Sequence, residues 1–262
     1  MQKKYISSKN GKTVYWIHKK ENARSLVMLH GLTADHRLFD KQVDALREKY
    51  TVLVWDCPCH GESRPYNDFS YSNITEELKR ILDAEQIEKA VFVGQSFGGM
   101  IAEFFIEKNP QMALGFVSIG SVPFGDYYSK SDYFWLNQLK WMCRLFPFTL
   151  LKKSLAKACG ATKGAQNKMM DMLSTYDKKE LCQLIYVGET AFVPENHEIT
   201  MPCPVVLILG RKDKVGKVRR YNDQWHKRTG YLLYLIDGAA HNANDDCPDE
   251  VNRIIQDFVE SV

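Results

Sequence analysis

A recurring unit limits the fold most: a short apolar run, a turn, then an amphipathic stretch. The apolar runs fall at 25–29, 51–55, 90–93, 114–119, 204–209 and 232–236. They are rich in aliphatic, β-branched and aromatic residues and do not alternate with polar ones. A strand needs that pattern when helices cover both faces of its sheet, as they do in a parallel sheet. Stretches 36–48, 73–86, 97–108, 217–228 and 248–260 carry helical patterning between and after the runs. Ser72 or Asn73 offers an N-cap, Asn109-Pro110 a stop and Pro248 a helix start. Two N-terminal runs, 3–7 and 13–18, flank Asn10-Gly11 and read as an antiparallel hairpin at the sheet edge. The pattern predicts an α/β fold with a doubly wound, mostly parallel sheet.

The alternation stops between residues 122 and 195. Trp135, Leu139, Met142 and Phe146 recur there on one helix face that Pro147 ends. More helices are expected near 149–159, 164–175 and 178–190. We therefore divide the chain into a core, 1–121 with 196–262, and an inserted helical cap, 122–195. The cap holds twelve aromatics, and its ten basic against seven acidic residues match the +3 net charge of the whole chain. Most of its aromatics are expected to pack the cap on the sheet. With Met169, Met170 and Met172 they also suit a lipophilic substrate.

Composition removes several classes. With 45% hydrophobic and 26% charged residues the chain is no disordered protein. No run of about 18 apolar residues is present, so no membrane insertion is expected. A balance of +3 is too even for a nucleic-acid binder. Met1 to Ser8 carries no apolar stretch of the kind that exports a chain. The seven cysteines are odd in number and irregular in spacing, which reads as reduced thiols in a cytoplasmic protein. Cys57-Pro58-Cys59-His60 lacks a second ligand pair, so no metal is expected, and the serine chemistry read below calls for no cofactor.

The chemistry centres on Gly94-Gln95-Ser96-Phe97-Gly98, a G-x-S-x-G between an apolar run and a helix. A sharp turn there projects the Ser96 hydroxyl, and Gly94 and Gly98 remove side chains that would collide across it. A serine nucleophile needs a base. Of seven histidines, His241 lies just after the last strand and before the C-terminal helix, in a loop that opens at the sheet edge where the Ser96 turn also opens. The base needs an orienting acid. Asp213, after the run 204–209, fits, with Asp126 as the competitor. Oxyanion donors are expected from the N–H groups of Phe97 and Leu32. His30 and Gly31 are read as supporting the Leu32 turn, His30 as a brace by hydrogen bonding rather than as a base.

In these segments, and in Asp56-Cys57-Pro58-Cys59-His60-Gly61-Glu62-Ser63, the chain resembles the α/β-hydrolase fold enzymes of the serine type. The resemblance implies hydrolase chemistry under a helical cap, with Asp213 and His241 serving Ser96. A small ester or thioester is the expected substrate. The same triad also serves carbon–carbon or amide hydrolysis and perhydrolysis, and the fold has non-catalytic binding members. A lipid-surface enzyme would need an exposed apolar lid. One departure is Cys59, where the family pattern carries Gly. We expect the turn to differ there, rather than the thiol to shape the site entrance.

Overall fold

Neighbouring residues of the apolar runs point to opposite faces of one sheet, and both faces are covered. In the computed structural model, which describes residues 1–262, the eight strands are β1 (Gln2–Ser8), β2 (Gly11–His18), β3 (Ser25–Leu29), β4 (Thr51–Trp55), β5 (Ala90–Gln95), β6 (Ala113–Ile119), β7 (Val205–Gly210) and β8 (Leu232–Ile236). Their order is β1-β2-β4-β3-β5-β6-β7-β8, antiparallel at β1–β2–β4 and parallel elsewhere. Helices α1 (Asp40–Leu46) and α10 (Pro248–Ser261) join one hydrophobic cluster with Leu26, Met28, Val91 and Val93. On the other face α2 (Tyr71–Ala84), α3 (Phe97–Lys108) and α8 (Val218–Thr229) join Val27, Leu29, Phe92 and Phe116. Between β8 and α10 lies the short α9 (Ala243–Asp246).

The chain leaves β3 toward β4 on one side and returns to β5 on the other. The carboxyl ends of β3 and β5 therefore flank the switch point, where ligands bind in open α/β sheets. From β6 to β7 the chain makes four further helices: α4 (Lys130–Leu145), α5 (Phe148–Cys159), α6 (Lys163–Leu173) and α7 (Lys178–Thr190). They pack as two pairs, α4 on α7 and α5 on α6. No helix is long and apolar enough to cross a membrane.

Four local readings change. The stretch 36–48 is a short 3₁₀ turn at His36–Phe39, capped by Asp35, followed by α1. Helix α2 starts earlier than its pattern suggested, because the Ser70 hydroxyl accepts the Asn73 N–H at 3.3 Å. Strand β8 is not covered on both faces: it is the sheet edge, with Leu232 64% and Tyr234 40% exposed. The aromatic face of α4 is not a packed seam either, since Trp135 is 57% and Phe146 45% exposed.

Candidate active site

Ser96 joins β5 to α3 at φ 52° and ψ −120°. That conformation costs an L-residue about 1–3 kcal/mol and persists only where the surroundings enforce it. Here they do. The Ser96 N–H donates to the Ile119 carbonyl at 2.9 Å, and the Ser121 hydroxyl donates to the Ser96 carbonyl at 2.7 Å. The flanking glycines have no room for a side chain. A Cβ on Gly98 would sit 1.9 Å from the Leu29 carbonyl oxygen, and one on Gly94 would sit 2.4 Å from the Gly99 Cα. The elbow is thus pressed against the end of β3.

The turn after β3 is His30-Gly31-Leu32-Thr33. A Cβ on Gly31 would lie 2.1 Å from Gln95 Oε1 and 3.2 Å from the Ser96 Cβ, so Leu32 is held beside the elbow. Thr33 has φ 66°, unusual for a β-branched residue. His30 is buried; its Nδ1 donates to the Gly31 carbonyl at 2.8 Å and its Nε2 accepts the Cys57 N–H at 3.0 Å. Burial lowers its pKa, so the ring stays neutral. Neither the Leu32 nor the Phe97 N–H donates to another protein group.

His241 follows β8, and its Nδ1 lies 2.8 Å from Asp213 Oδ2. Both side chains are nearly inaccessible, 6% and 0% exposed, so little water competes for the bond. The other Asp213 oxygen accepts the Val215 N–H at 2.8 Å. A Cβ on Gly120 would lie 3.3 Å from His241 Nδ1, so the imidazole packs on the end of β6. Ser96 Oγ and His241 Nε2 are not hydrogen-bonded to each other. Unliganded sites often keep such pairs apart until substrate binds.

The remaining candidates lie elsewhere. Asp126 is exposed, and its N–H donates to Glu198. His197 pairs with Glu107 at the surface, and His226 meets the Tyr231 carbonyl. Buried His60 donates from Nδ1 to the Pro58 carbonyl, and burial pushes its pKa down to about 3. Cys59 does adopt the left-handed backbone that glycine favours, at φ 68°. The turn there therefore keeps the glycine conformation. Its thiol donates to the Tyr66 carbonyl at 3.3 Å, and burial pushes its pKa up to about 11, so it is no thiolate nucleophile. Cys59, Phe69 and Val187 line a crevice of about 420 Å³, and the Phe69 ring stacks 5.6 Å from Phe97.

One trio of potential metal donors is grouped, Asp35, His36 and Asp56. Each is already engaged. Arg37 clamps Asp35, and Asp56 accepts from the His36 N–H, the His36 ring and the Glu62 N–H. That is the bonding of a structural network.

Three contributors carry no signal in sequence. Gln95 is buried, and its amide donates to the His241 carbonyl at 3.2 Å, tying the elbow to the histidine loop. Asp246 accepts from the Ala240, Ala161 and Thr162 N–H groups, tying that loop to the helical insertion. Glu189 is the third. It continues the buried Cys182–Ile185 flank of α7, and a Cβ on the preceding Gly188 would lie 2.2 Å from Leu32 Cδ1. Glu189 is solvent-accessible, yet surrounding protein raises its carboxyl pKa while His241 draws it down. No hydrogen bond or ion pair neutralises it.

Comparison with known proteins agrees with this architecture. A sequence model of the alpha/beta hydrolase fold family matches residues 24–161, just over half of the chain. The 3-oxoadipate enol-lactonase 1 of Acinetobacter baylyi is 39% identical over 98 residues, a stretch spanning 37% of each chain. An uncharacterized hydrolase of Bacillus subtilis is 24% identical over 268 residues, 95% of each. A thermophilic esterase from Thermogutta terrifontis superposes with a TM-score of 0.81 at 16% identity, covering 100% of this chain and 99% of that one. The enol-lactonase from Burkholderia xenovorans LB400 superposes with a TM-score of 0.80 at 17% identity, covering 98% of this chain and 100% of that one. The elbow, the strand order and the family match lead to one assignment: the chain belongs to the α/β-hydrolase family.

Proposed function

We propose that the chain is a serine hydrolase that cleaves a carboxylic ester or thioester through an acyl-enzyme. The observation that carries this reading is the buried 2.8 Å His241–Asp213 pair beside a Ser96 held at φ 52°. Asp213 fixes the His241 tautomer with the proton on Nδ1, leaving Nε2 free to take the Ser96 proton. Ser96 Oγ attacks the acyl carbon, and the developing oxyanion meets the unpaired N–H groups of Leu32 and Phe97. His241 returns the proton to the departing alcohol or thiol. Water, deprotonated in turn by His241, attacks the acyl-enzyme and releases the acid and free Ser96.

Residues 122–195 serve as the cap over this site, with 1–121 and 196–262 as the catalytic core. Phe69, Phe97 and Val187 favour a small lipophilic group. An acyl group bearing its own carboxylate fits poorly beside Glu189. Seven free cysteines suit a reducing cytoplasmic setting. The chemistry we propose needs no cofactor.

The test is a chain-length series of p-nitrophenyl esters and acyl thioesters, run beside fluorophosphonate labelling. We expect label on Ser96, and a loss of at least about 1,000-fold in kcat for Ser96→Ala with the fold intact. Absence of label, or unchanged turnover in Ser96→Ala, would refute the reading.

A further inference from the structure

The outer face of the insertion is unlike the rest of the surface. The chain exposes eleven large hydrophobic side chains, and six of them fall between residues 134 and 150. They are Phe134 (57%), Trp135 (57%), Trp141 (51%), Leu145 (72%), Phe146 (45%) and Leu150 (49%). Phe134, Trp141 and Leu145 share one stripe of α4, at helical steps of seven and four. Phe146 continues it into the turn to α5. The opposite side of α4 packs on α7, so the stripe faces away from the protein. A contiguous apolar patch on a soluble domain signals something that covers it.

The charge around the patch identifies the occupant. Helices α4 and α5 carry six cations, at Lys130, Lys140, Arg144, Lys152, Lys153 and Lys157. Their one acidic residue, Asp132, is buried and paired with Lys217. This helix pair thus holds an excess of five positive charges where the whole chain holds three, which leaves the remainder net negative. Tryptophans and leucines flanked by lysines and arginine suit the interfacial zone of a bilayer. Their rings and chains enter the acyl boundary while the cations reach anionic headgroups. A second copy of the chain would set six cations against six, which disfavours self-association. A duplex nucleic acid would offer phosphates to the cations but no apolar partner to Leu145, Phe146 and Leu150.

We propose that the outer face of α4 and the α4–α5 turn dock on an anionic lipid surface. Docking there holds the insertion against the bilayer while α7, on its inner side, keeps Gly188 on the Leu32 turn. The proposed binding is peripheral: no helix is long and apolar enough to cross a membrane.

The full chain is floated with vesicles of phosphatidylcholine alone, or with about a third phosphatidylglycerol, at low and high salt. We expect at least tenfold more binding to the anionic vesicles, weakened by salt, with a blue shift of tryptophan emission and quenching by brominated acyl chains. Leu145→Ser with Phe146→Ser should abolish the shift, and Lys140→Glu with Lys153→Glu should abolish the anionic preference. All four changes lie at the surface, and each variant is checked for an unchanged melting temperature. Equal binding to both vesicle types, or variants that bind like wild type, would overturn the proposal. So would a concentration-dependent dimer that buries Trp141 without vesicle binding, or retention on nucleic acid alone. The readout is binding, so it stands or falls separately from ester turnover.

Discussion

The sheet and the helical insertion keep their aromatic residues in opposite places. On the sheet and its covering helices, Phe92, Phe104, Phe105 and Phe116 are fully buried. On α4 and the turn beyond it, Phe134, Trp135, Trp141 and Phe146 are exposed. The difference follows from geometry. A central strand covered on both faces has no free side, so its content is dictated by packing. A helix of the insertion packs one stripe and leaves the rest of its surface to other demands. The core builds the elbow, the His241 loop and the switch point. The insertion sets Gly188 against the Leu32 turn, with Glu189 the next residue, and turns an apolar, basic face outward.

The largest effect separates the two regions directly. Phe104 packs on Tyr71 and Phe124, with ring centroids 5.4 and 5.8 Å away. Phe104→Ala should cost about 3–5 kcal/mol. For a chain of this size that lowers the melting temperature by about 10 °C in calorimetry. A shift of only a degree or two would mean that the sheet's aromatic packing does not hold the fold.

A second contrast lies in pH. Glu103 on α3 is buried, accepts the Phe124 N–H at 3.2 Å and has no cation beside it. Burial raises its carboxyl well above the ordinary 4.5. As pH rises past that value, the unfolded chain releases a proton that the folded chain keeps. Stability therefore falls, by up to about 1.4 kcal/mol per pH unit, until the folded group also ionises. Glu103→Gln keeps the neutral acceptor, so its melting temperature should exceed wild type at pH 7 and match it near pH 4. Buried His60 acts oppositely. Its pKa falls from the ordinary 6.5 to about 3, so stability drains as pH falls through that range. Parallel melting curves of Glu103→Gln and wild type across pH would sink this account.

Much of this molecule could be read before folding, and the parts that could not share a cause. The strands, the elbow at Ser96 and the order Ser96, Asp213, His241 each depend on local pattern and chain order. Gln95 sits at a variable position of its motif, and only the folded His241 loop gives its amide a partner. The early start of α2 turns on the Ser70 hydroxyl. Strand β8 carries the apolar pattern of a central strand yet ends the sheet, because nothing in its own residues records whether a neighbour follows. The Trp135–Phe146 face of α4 was legible as a face, but its exposure was not, because spacing does not report what lies against a face. The Cys59 turn kept the glycine conformation because the surrounding backbone, not the residue's preference, sets φ there.

Glu189 tests whether the insertion reaches the chemistry. Its carboxylate has no counter-ion near His241, so an acyl group ending in a carboxylate should be disfavoured and one ending in an ammonium favoured. Glu189→Gln should move the ratio of their kcat/KM values by about tenfold. That is about 1.4 kcal/mol, a plausible interaction for one charge pair several ångströms apart in a partly wet site. A neutral ester of equal length is the internal control. An unchanged ratio would place Glu189 away from bound substrate.

The smallest effect is the most informative about the outer face. Trp141 is 51% exposed, and its indole N–H donates to Gln138 of the same helix at 2.7 Å. Trp141→Ser removes apolar surface that folding never took from water. Stability should change by less than about 0.5 kcal/mol, as for most surface sites, and turnover of a short soluble ester should not change. An apolar ring left in water, whose loss costs the fold almost nothing, is free to meet the lipid surface proposed above. If Trp141→Ser instead destabilised the protein as much as a buried aromatic does, α4 would be packed in solution. The contrast between the two regions would then collapse into one continuous core.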